Sequence, residues 1–347
     1  MKMRKIVCSF MISVVCFMTA ISGVSATSYD TSKINAAYSK VVEYYKNNNN
    51  LNNADKILAV ESLGLEAESN QFDTSSADLS STSLSKKIVT EVLLGVDPTE
   101  DKKTLESQID ENGNVEGSWG ASSDVWTLYA LYVTSSEKTN LIANKLNDEL
   151  AASSVCGYEW GGTYYADYDT TGWVIEGLAV VNKEKYATTI NKAIDYIKNN
   201  TTMTTTGWVT ADNVDTQSQV LEGMFAYDTN ALLNDSYTVH PVDCLLNTQL
   251  SDGSFPSGYN AEYTTAEVAK TLGTYKNGSV IIKAKKAYDK MMNPEQPDNT
   301  KPAQPTDTKK DSQSTNKVET TNQKTTSVKT GDETNVVIFV SLSMVSG

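Results

Sequence analysis

Arginine is almost missing from this 347-residue chain, since Arg4 is the only one. Histidine is represented by His240 alone, and acidic residues outnumber basic residues by 43 to 29. A surface that binds nucleic acid needs clustered basic charge, so the composition excludes nucleic acid as a partner. With no arginine after residue 4, bidentate capture of a phosphate or diphosphate by a guanidinium is excluded for the rest of the chain.

Long apolar runs are few, and the first lies at the N-terminus. Three basic residues within 2–5 precede an apolar stretch over 6–21, and small residues follow at 24–26. This order is typical of a secretory signal peptide, and the stretch is short for a membrane span. We therefore expect residues 1–26 to be removed and the remainder, with 26 basic and 43 acidic residues, to be extracellular.

Cysteine is also scarce. Cys8 and Cys16 lie in the segment that is removed, which leaves Cys156 and Cys244. Outside the cell these two residues could form one disulfide or remain as two buried thiols. The sequence leaves both alternatives open, because a bridge depends on a Cα separation that a sequence does not contain.

Aromatic residues and glycine are absent from 293–326, which consists mainly of Pro, Thr, Lys, Gln, Asn, Asp and Ser. Such a composition buries too little apolar surface to offset the entropy of ordering, and it predicts a disordered stalk. Residues 327–347 then read "SVKTG" followed by an apolar run.

This C-terminal segment resembles the sorting signal of Gram-positive surface proteins. The resemblance implies that a sortase cleaves between Thr330 and Gly331 and joins the threonine to cell-wall peptidoglycan. Val328 stands where proline is usual, and no basic tail follows the apolar run. The sequence therefore leaves open whether this anchor is complete.

The part between 27 and 292 is repetitive. Four turns recur around Trp119, Trp160, Trp208 and Phe255, with spacings of 41, 48 and 47 residues. Each turn leads into a segment with apolar residues at the period of an α-helix, and more polar segments lie between them at 136–153, 184–199 and 238–249. We expect buried helices to alternate with surface helices.

Two further buried helices are predicted upstream, in "ADKILAVESLGL" and "LSKKIVTEVLLGVDP", each of which ends at a glycine. With a last outer helix at 279–292, six helical hairpins can close into a ring. No segment shows the alternating apolar pattern of a strand, so the predicted fold class is all-α.

The repeats resemble the α/α toroids of the terpenoid cyclase and protein prenyltransferase superfamily, which have squalene-cyclase-like repeats. "LNTQLSDGSFPSG" at 246–258 looks like its Gln-x-x-Asp-Gly-Ser-Phe turn. The resemblance implies an α/α toroid over 27–292, with inner and outer rings of helices. It also implies that the inner helices start around one mouth of the barrel. The superfamily includes enzymes as well as non-enzymatic carriers of vitamin B12, so the resemblance does not decide the activity.

The start of one inner helix, "ADYDTTGWVIEGLA", carries the candidate catalytic residues Asp167 and Asp169. It is similar to the Asp-x-Asp-Asp-Thr acid motif of class II terpene cyclases, which implies that Asp169 is a general acid assisted by Asp167. The alternative is that Asp169 caps the helix, because aspartate is a favoured N-cap. Asp215 occupies the equivalent position in the next repeat, which favours the capping interpretation.

Several aromatic, amide and carboxylate residues share registers on the predicted inner helices and form the candidate ligand site. Core packing is the other interpretation of this set, above all for the tryptophans. The candidate ligand-binding residues are Trp126, Tyr164, Tyr168, Trp173, Glu176, Asp215, Gln219, Glu222 and Glu267.

The zinc-capable types His240, Asp243 and Cys244 lie close together, but Pro241 places the histidine at a helix start, and we predict no metal site. The preferred interpretation is a cell-surface binding protein that captures a ligand or partner at the barrel mouth without catalysis. A corrinoid, a glycan or a protein is the candidate partner, and no cofactor is predicted. The alternative is an enzyme of the cyclase or lyase type with Asp169 as its acid, assisted by Asp167 and Tyr164.

Overall fold

The computed structural model describes residues 28–48, 50–68, 79–209 and 213–294, which fall within one compact unit. The predicted signal peptide (1–26), stalk and sorting signal lie outside the described residues, apart from the first two stalk positions. Eleven helices and one two-stranded ribbon form this part of the chain, so the expectation of a mainly helical protein is confirmed. The helices are α1 (Thr31–Asn47), α2 (Ala54–Ser62), α3 (Ser81–Leu93), α4 (Thr99–Ser107), α5 (Ala121–Val133), α6 (Thr139–Ser153), α7 (Tyr168–Asn200), α8 (Val214–Asn234), α9 (Pro241–Leu246), α10 (Ala261–Asn277) and α11 (Val280–Met292).

Helices α7 and α8 each contain a break. The backbone leaves the helical region at Asn182 in α7 and at Asp228 in α8. Both side chains then act as caps, because Asn182 accepts a hydrogen bond from the Lys185 amide and Asp228 accepts one from the Ala231 amide. Each long helix is therefore two arms joined at a capped break. The second arm of α7 contains the predicted polar segment 184–199, whereas that of α8 ends at Asn234, before the predicted segment 238–249.

The contacts between helices form a closed cycle. Helix α2 packs against α3, α3 against α5, α5 against α7, α7 against α8, α8 against α10, and α10 against α2. We call these six the cycle helices. Helices α1, α4, α6 and α9 pack outside them: α6, for example, contacts α5 and α7, and α9 contacts α8 and α1.

Neighbouring cycle helices run parallel, because their contacts join equivalent positions. Trp126 and Trp173 stand at the same distance from the N-caps of α5 and α7, and their side chains meet edge to face at 5.9 Å. On α2 and α10, the Ser62 hydroxyl donates to the Ala269 carbonyl, again at equivalent positions. The N-terminal ends of the cycle helices therefore lie at one end of the unit, which we call the mouth.

Two glycines let α7 and α8 approach closely. A Cβ on Gly172 would lie 2.4 Å from the Gln219 carbonyl oxygen, and one on Gly223 would lie 2.3 Å from the Gly172 carbonyl oxygen. Both distances are shorter than any tolerated contact, so each position excludes a side chain. The two backbones are in direct contact as a result.

Helix α11 lies across the end of the unit opposite to the mouth. It packs against α2, α3, α5 and α10, all of which are cycle helices. Lys283 donates to the Glu61 carbonyl at the last turn of α2 and forms an ion pair with the Glu61 carboxylate. A helix is present where the sequence predicts the last outer helix, but it covers the C-terminal ends of the cycle helices.

A short ribbon interrupts the helical pattern before α7. Strands β1 (Gly157–Trp160) and β2 (Thr163–Ala166) pair antiparallel around Gly161 and Gly162, both of which have positive φ. The prediction of no strands is therefore wrong for this segment. Each strand has only four residues, and β2 is mostly exposed, so the burial contrast that produces an alternating pattern is missing.

Candidate functional site

The cycle helices place five of the predicted ligand residues at the centre of the cycle. Trp126 comes from α5, Glu176 from α7, Gln219 and Glu222 from α8, and Glu267 from α10. All five side chains are buried, with at most 3% of the surface of any one exposed. A buried charge needs a partner, so their contacts decide what this centre does.

Glu176 is held by two hydroxyl groups. The Tyr129 hydroxyl donates to Oε2 at 3.0 Å, and the Ser279 hydroxyl, at the start of α11, donates to Oε1 at 2.6 Å. Burial raises the pKa of Glu176, while the hydrogen bond from Ser279 and the charge of Lys270 act in the opposite direction. This carboxyl group therefore ties α7 to both α5 and the covering helix.

Lys270 on α10 is the only cation in contact with the other two glutamates in the described part of the chain. Its Nζ lies 3.0 Å from Glu267 Oε2 and 3.9 Å from Glu222 Oε2. Burial disfavours its ammonium form, but the carboxylates of Glu267 and Glu222 outweigh burial and raise the pKa of Lys270. Burial also raises the pKa of Glu222 well above its usual range, so Glu222 retains its proton more readily than an exposed glutamate.

Some polar atoms of this centre have no hydrogen-bond partner among the described residues. Gln219 Nε2 donates to Glu267 Oε2 at 3.1 Å, which leaves Gln219 Oε1 and Glu267 Oε1 without a donor. Glu222 Oε2 also lacks a donor, and the indole N–H of Trp173 lacks an acceptor. A buried polar atom without a hydrogen bond lowers the stability of the fold. The centre of the cycle therefore contains polar atoms that do not stabilise the packing of the helices.

Two lysine side chains form cation–π contacts with the indole ring of Trp126. Lys86 Nζ on α3 lies 4.6 Å from the indole centre, and Lys270 Nζ lies 5.5 Å from it. A cation over an aromatic face is favourable, above all in a desolvated site. The sequence interpretation did not single out either lysine, although Lys86 shares its position relative to the helix cap with Trp126, Trp173 and Gln219.

The N-cap of α7 is Asp167, which corrects the capping role predicted for Asp169. The Asp167 side chain accepts hydrogen bonds from the Thr170 amide at 3.1 Å and the Thr170 hydroxyl at 2.7 Å. In α8 the cap is Asn213, so Asp215 also lies in the first turn. The repeat alignment of Asp169 with Asp215 holds, but the capping residue stands two positions earlier in both helices.

Asp169 is a half-buried carboxyl group at the mouth. Burial raises its pKa to about 6, against a hydrogen bond from Thr216 that favours the ionised form, and the charges of Asp167 and Asp215 raise it further. Asp215 accepts a hydrogen bond from the Tyr259 hydroxyl at 3.0 Å and one from the Thr264 hydroxyl at 3.4 Å. The mouth therefore carries three neighbouring carboxyl groups, one of which exchanges its proton near neutral pH.

Exposed aromatic side chains concentrate at the mouth. We call the following set the aromatic rim, and it contains every aromatic residue that is exposed in the described part of the chain: Trp119, Tyr158, Tyr164, Tyr165 and Tyr259. Trp119 directly precedes the cap of α5, the ribbon precedes the cap of α7, and Tyr259 directly precedes the cap of α10. Of the predicted residues, Tyr164 belongs to this rim, whereas Tyr168 and Trp173 are half-buried behind it.

The two remaining cysteines are free thiols in the structure, and both are buried. The Cys244 thiol donates to the Thr204 carbonyl, and the Cys156 amide donates to the Thr171 hydroxyl. Of the two alternatives that the sequence leaves open, the structure therefore contains the pair of thiols and not the disulfide. Burial raises the pKa of Cys156 above its usual range and that of Cys244 to about 11.

The zinc-capable residues of α9 have structural contacts. His240 is the N-cap and accepts from the Val242 amide, while Asp243 accepts from the Tyr29 hydroxyl and forms an ion pair with Lys33. Within the described residues, no group of three or more His, Cys, Asp or Glu side chains is placed so that it could hold a metal ion. Nor does any helix in this part of the chain have the length and apolar character needed to cross a bilayer.

The sorting residues Thr330 and Gly331 lie outside the described residues. Comparisons of the chain with protein families, with curated proteins and with solved structures find no match.

Proposed function

We propose that this protein is an exported, cell-wall-attached α/α toroid that captures a ligand at its mouth without catalysis. The closed cycle of six parallel helices, with four helices packed outside it, supports the toroid. The aromatic rim carries the proposal of binding, because all the exposed aromatic side chains of the described residues lie where the chain enters cycle helices. Exposed aromatic clusters of this kind mark binding surfaces.

The test is a comparison of two double variants of the full chain. Trp119→Ala/Tyr165→Ala removes exposed side chains at the mouth, and Ile282→Ala/Met292→Ala removes exposed side chains on α11, at the opposite end. Both proteins are titrated with hydroxocobalamin and with a panel of oligosaccharides, and their melting temperatures are compared with that of the unchanged chain. We expect binding to be lost only in the mouth variant. Equal binding by both variants would exclude the mouth as the site.

Attachment to the cell wall is a separate part of the proposal. It rests on the sequence of residues 327–347 and on sortase as the partner that joins Thr330 to peptidoglycan. A Gram-positive host that produces the chain should release it from the wall only after peptidoglycan digestion. The Thr330→Ala chain should instead appear in the medium or the membrane fraction.

A second candidate function is acid catalysis by Asp169, as in a cyclase- or lyase-type enzyme. The observation in its favour is the pKa of about 6, which leaves part of the population protonated at neutral pH. Asp167 and Asp215 lie beside it and would stabilise developing positive charge. An Asp169→Asn variant that binds normally, together with no turnover of isoprenoid or polysaccharide libraries by the unchanged chain, would exclude this candidate.

A further inference from the structure

We propose that the aromatic rim binds a saccharide chain without anionic groups, composed of neutral or amino sugars. This inference rests on the proposed function and specifies its ligand class. Tyr158 and Tyr165 form the best-defined element of the rim, since their side chains are stacked, with centroids 5.6 Å apart and planes inclined by 19°. With 59% and 44% of their surfaces exposed, the two tyrosines support each other and leave the ring surfaces outside their mutual contact open to solvent. An exposed tyrosine ring can pack against the C–H face of a sugar, and its hydroxyl group can form hydrogen bonds.

The charge of the mouth selects against anionic ligands. Asp167, Asp169 and Asp215 supply acceptor oxygens for sugar hydroxyl or amino groups. Three lysines near the starts of the cycle helices are paired with carboxylates: Lys56 lies 2.8 Å from Glu262, Lys86 lies 2.8 Å from Asp55, and Lys145 lies 2.8 Å from Asp124. A uronic acid or a phosphate on the ligand would be repelled by the carboxylates of Asp167, Asp169 and Asp215, and these three lysines already have acidic partners.

The filled centre of the cycle favours a ligand that lies across the mouth. Lys270 and Trp126 meet across the cycle, and Glu176 is enclosed by Tyr129 and Ser279. A bulky ligand that must enter the cycle, such as a corrinoid, would have to displace these buried contacts. A sugar chain makes its contacts one unit at a time on a surface, so it needs no deep cavity.

A polar pocket continues the mouth beyond Tyr259. The Tyr259 side chain lies 6.0 Å from that of Tyr263, which follows Glu262 on α10. Glu262 lines a cavity of about 290 Å³ together with Tyr44, Tyr45, Asn47, Asn48, Asn50 and Lys56. Amide groups both donate and accept hydrogen bonds, as sugar hydroxyls do. A pocket beside the rim with three asparagines and two tyrosines therefore matches one further sugar unit.

The experiment uses the full chain and three hexasaccharides: chitohexaose as the amino-sugar chain, cellohexaose as the neutral chain and hexagalacturonate as the anionic chain. Binding is measured by calorimetry. We expect chitohexaose or cellohexaose to bind and hexagalacturonate not to bind. Trp119→Ala and Tyr165→Ala should each weaken binding by about tenfold. Ile282→Ala, on α11, is the matched control and should bind as the unchanged chain does.

Three results would overturn the inference. They are the absence of binding to both uncharged and amino-sugar chains, binding of hexagalacturonate as tight as that of the others, or saccharide binding that the two rim variants leave unchanged. If instead the rim variants lose binding to hydroxocobalamin or to a purified protein ligand while no saccharide binds, the saccharide class is wrong and the mouth remains the binding site. Melting temperatures of the rim variants should equal that of the unchanged chain, because the altered side chains are exposed.

Discussion

Lys270 Nζ on α10 lies 5.5 Å from the centre of the Trp126 indole on α5. Two other cycle helices separate α5 from α10 in either direction around the cycle, so this contact crosses the centre. The same ammonium group lies 3.0 Å from Glu267 and 3.9 Å from Glu222. Lys270 therefore supplies positive charge to two carboxyl groups that water does not reach.

Replacing Lys270 by methionine should reduce the free energy of unfolding strongly. The Lys270→Met variant leaves Glu267 and Glu222 buried without a cation, and breaking a buried pair in this way costs about 3–5 kcal/mol. Urea unfolding measures the loss. Adding Glu267→Gln should restore part of it, because a neutral amide needs no counter-charge. Lys285→Met removes the more exposed pair with Asp289 and should cost less than about 1 kcal/mol.

Asp169 should make stability depend on pH in a defined direction. Its pKa is about 6 in the folded protein, against an ordinary value of 3.8. A raised carboxyl pKa contributes stability that is fully present below the unfolded pKa and is lost as the pH rises through the folded pKa. Asp169→Asn should thus unfold like the unchanged chain near pH 3.5 and be more stable at pH 8.

The difference at pH 8 should reach at most about 3 kcal/mol, because one pKa unit corresponds to about 1.4 kcal/mol. Urea unfolding at both pH values measures this difference in the free energy of unfolding, because the contributions of the other titrating groups are common to the two proteins. Asp195→Asn is the control variant, because Asp195 is exposed on the second arm of α7. It measures how much the loss of one surface charge changes the free energy of unfolding. A difference between Asp169→Asn and the unchanged chain that stayed constant from pH 3.5 to 8 would show that the Asp169 pKa is not raised.

The contact between α7 and α8 should not tolerate a methyl group. Gly172→Ala and Gly223→Ala would each place Cβ within 2.4 Å of a carbonyl oxygen of the facing helix. Overpacking of this kind costs about 1–3 kcal/mol, although alanine is otherwise the better helix former. Gly258→Ala is the matched control, because its Cβ meets no atom within 4 Å, and it should change stability by less than about 0.5 kcal/mol. Thermal or urea unfolding of the three variants tests the close approach.

The two cysteines should be unreactive until the protein unfolds. Cys156 and Cys244 are fully buried, and burial disfavours the thiolate of each. A chain that begins at residue 27 should therefore release no thionitrobenzoate from Ellman's reagent in buffer and two equivalents in denaturant. Two equivalents without any reductant distinguish free thiols from a disulfide, which would release none.

Periodicity was sufficient to predict the six cycle helices, because a buried stripe leaves a clear 3.6-residue pattern, but α1 and α4 were not predicted individually. Periodicity was less informative about where each helix begins and ends. The outer helix predicted at 238–249, for example, spans only Pro241–Leu246 in the structure. The cap of α7 could not be assigned from composition, since Asp167 and Asp169 are both suitable and only backbone geometry selects one. Asn213 at the equivalent position of α8 is the repeat signal that could have selected Asp167.

The charges at the centre of the cycle were predicted only in part. Glu176, Glu222 and Glu267 were found through shared register, but Lys270 was overlooked because a lysine on an amphipathic helix usually faces water. The ribbon was missed because its strands are short and carry exposed aromatic residues on a segment that has no core face. Trp119 and Tyr259 were missed as rim residues, although both directly precede a helix cap.

Helix α11 places the C-terminal end of the described residues at the end of the unit opposite to the aromatic rim. It covers the C-terminal ends of the cycle helices, and the chain leaves it at Met292, on the side away from the mouth. A covalent link made near Asn293 would therefore leave the aromatic rim, at the other end of the described unit, uncovered. Immobilising the protein through its C-terminal segment should therefore leave ligand binding intact, whereas coupling it to a support through a cysteine placed at position 119 should block it.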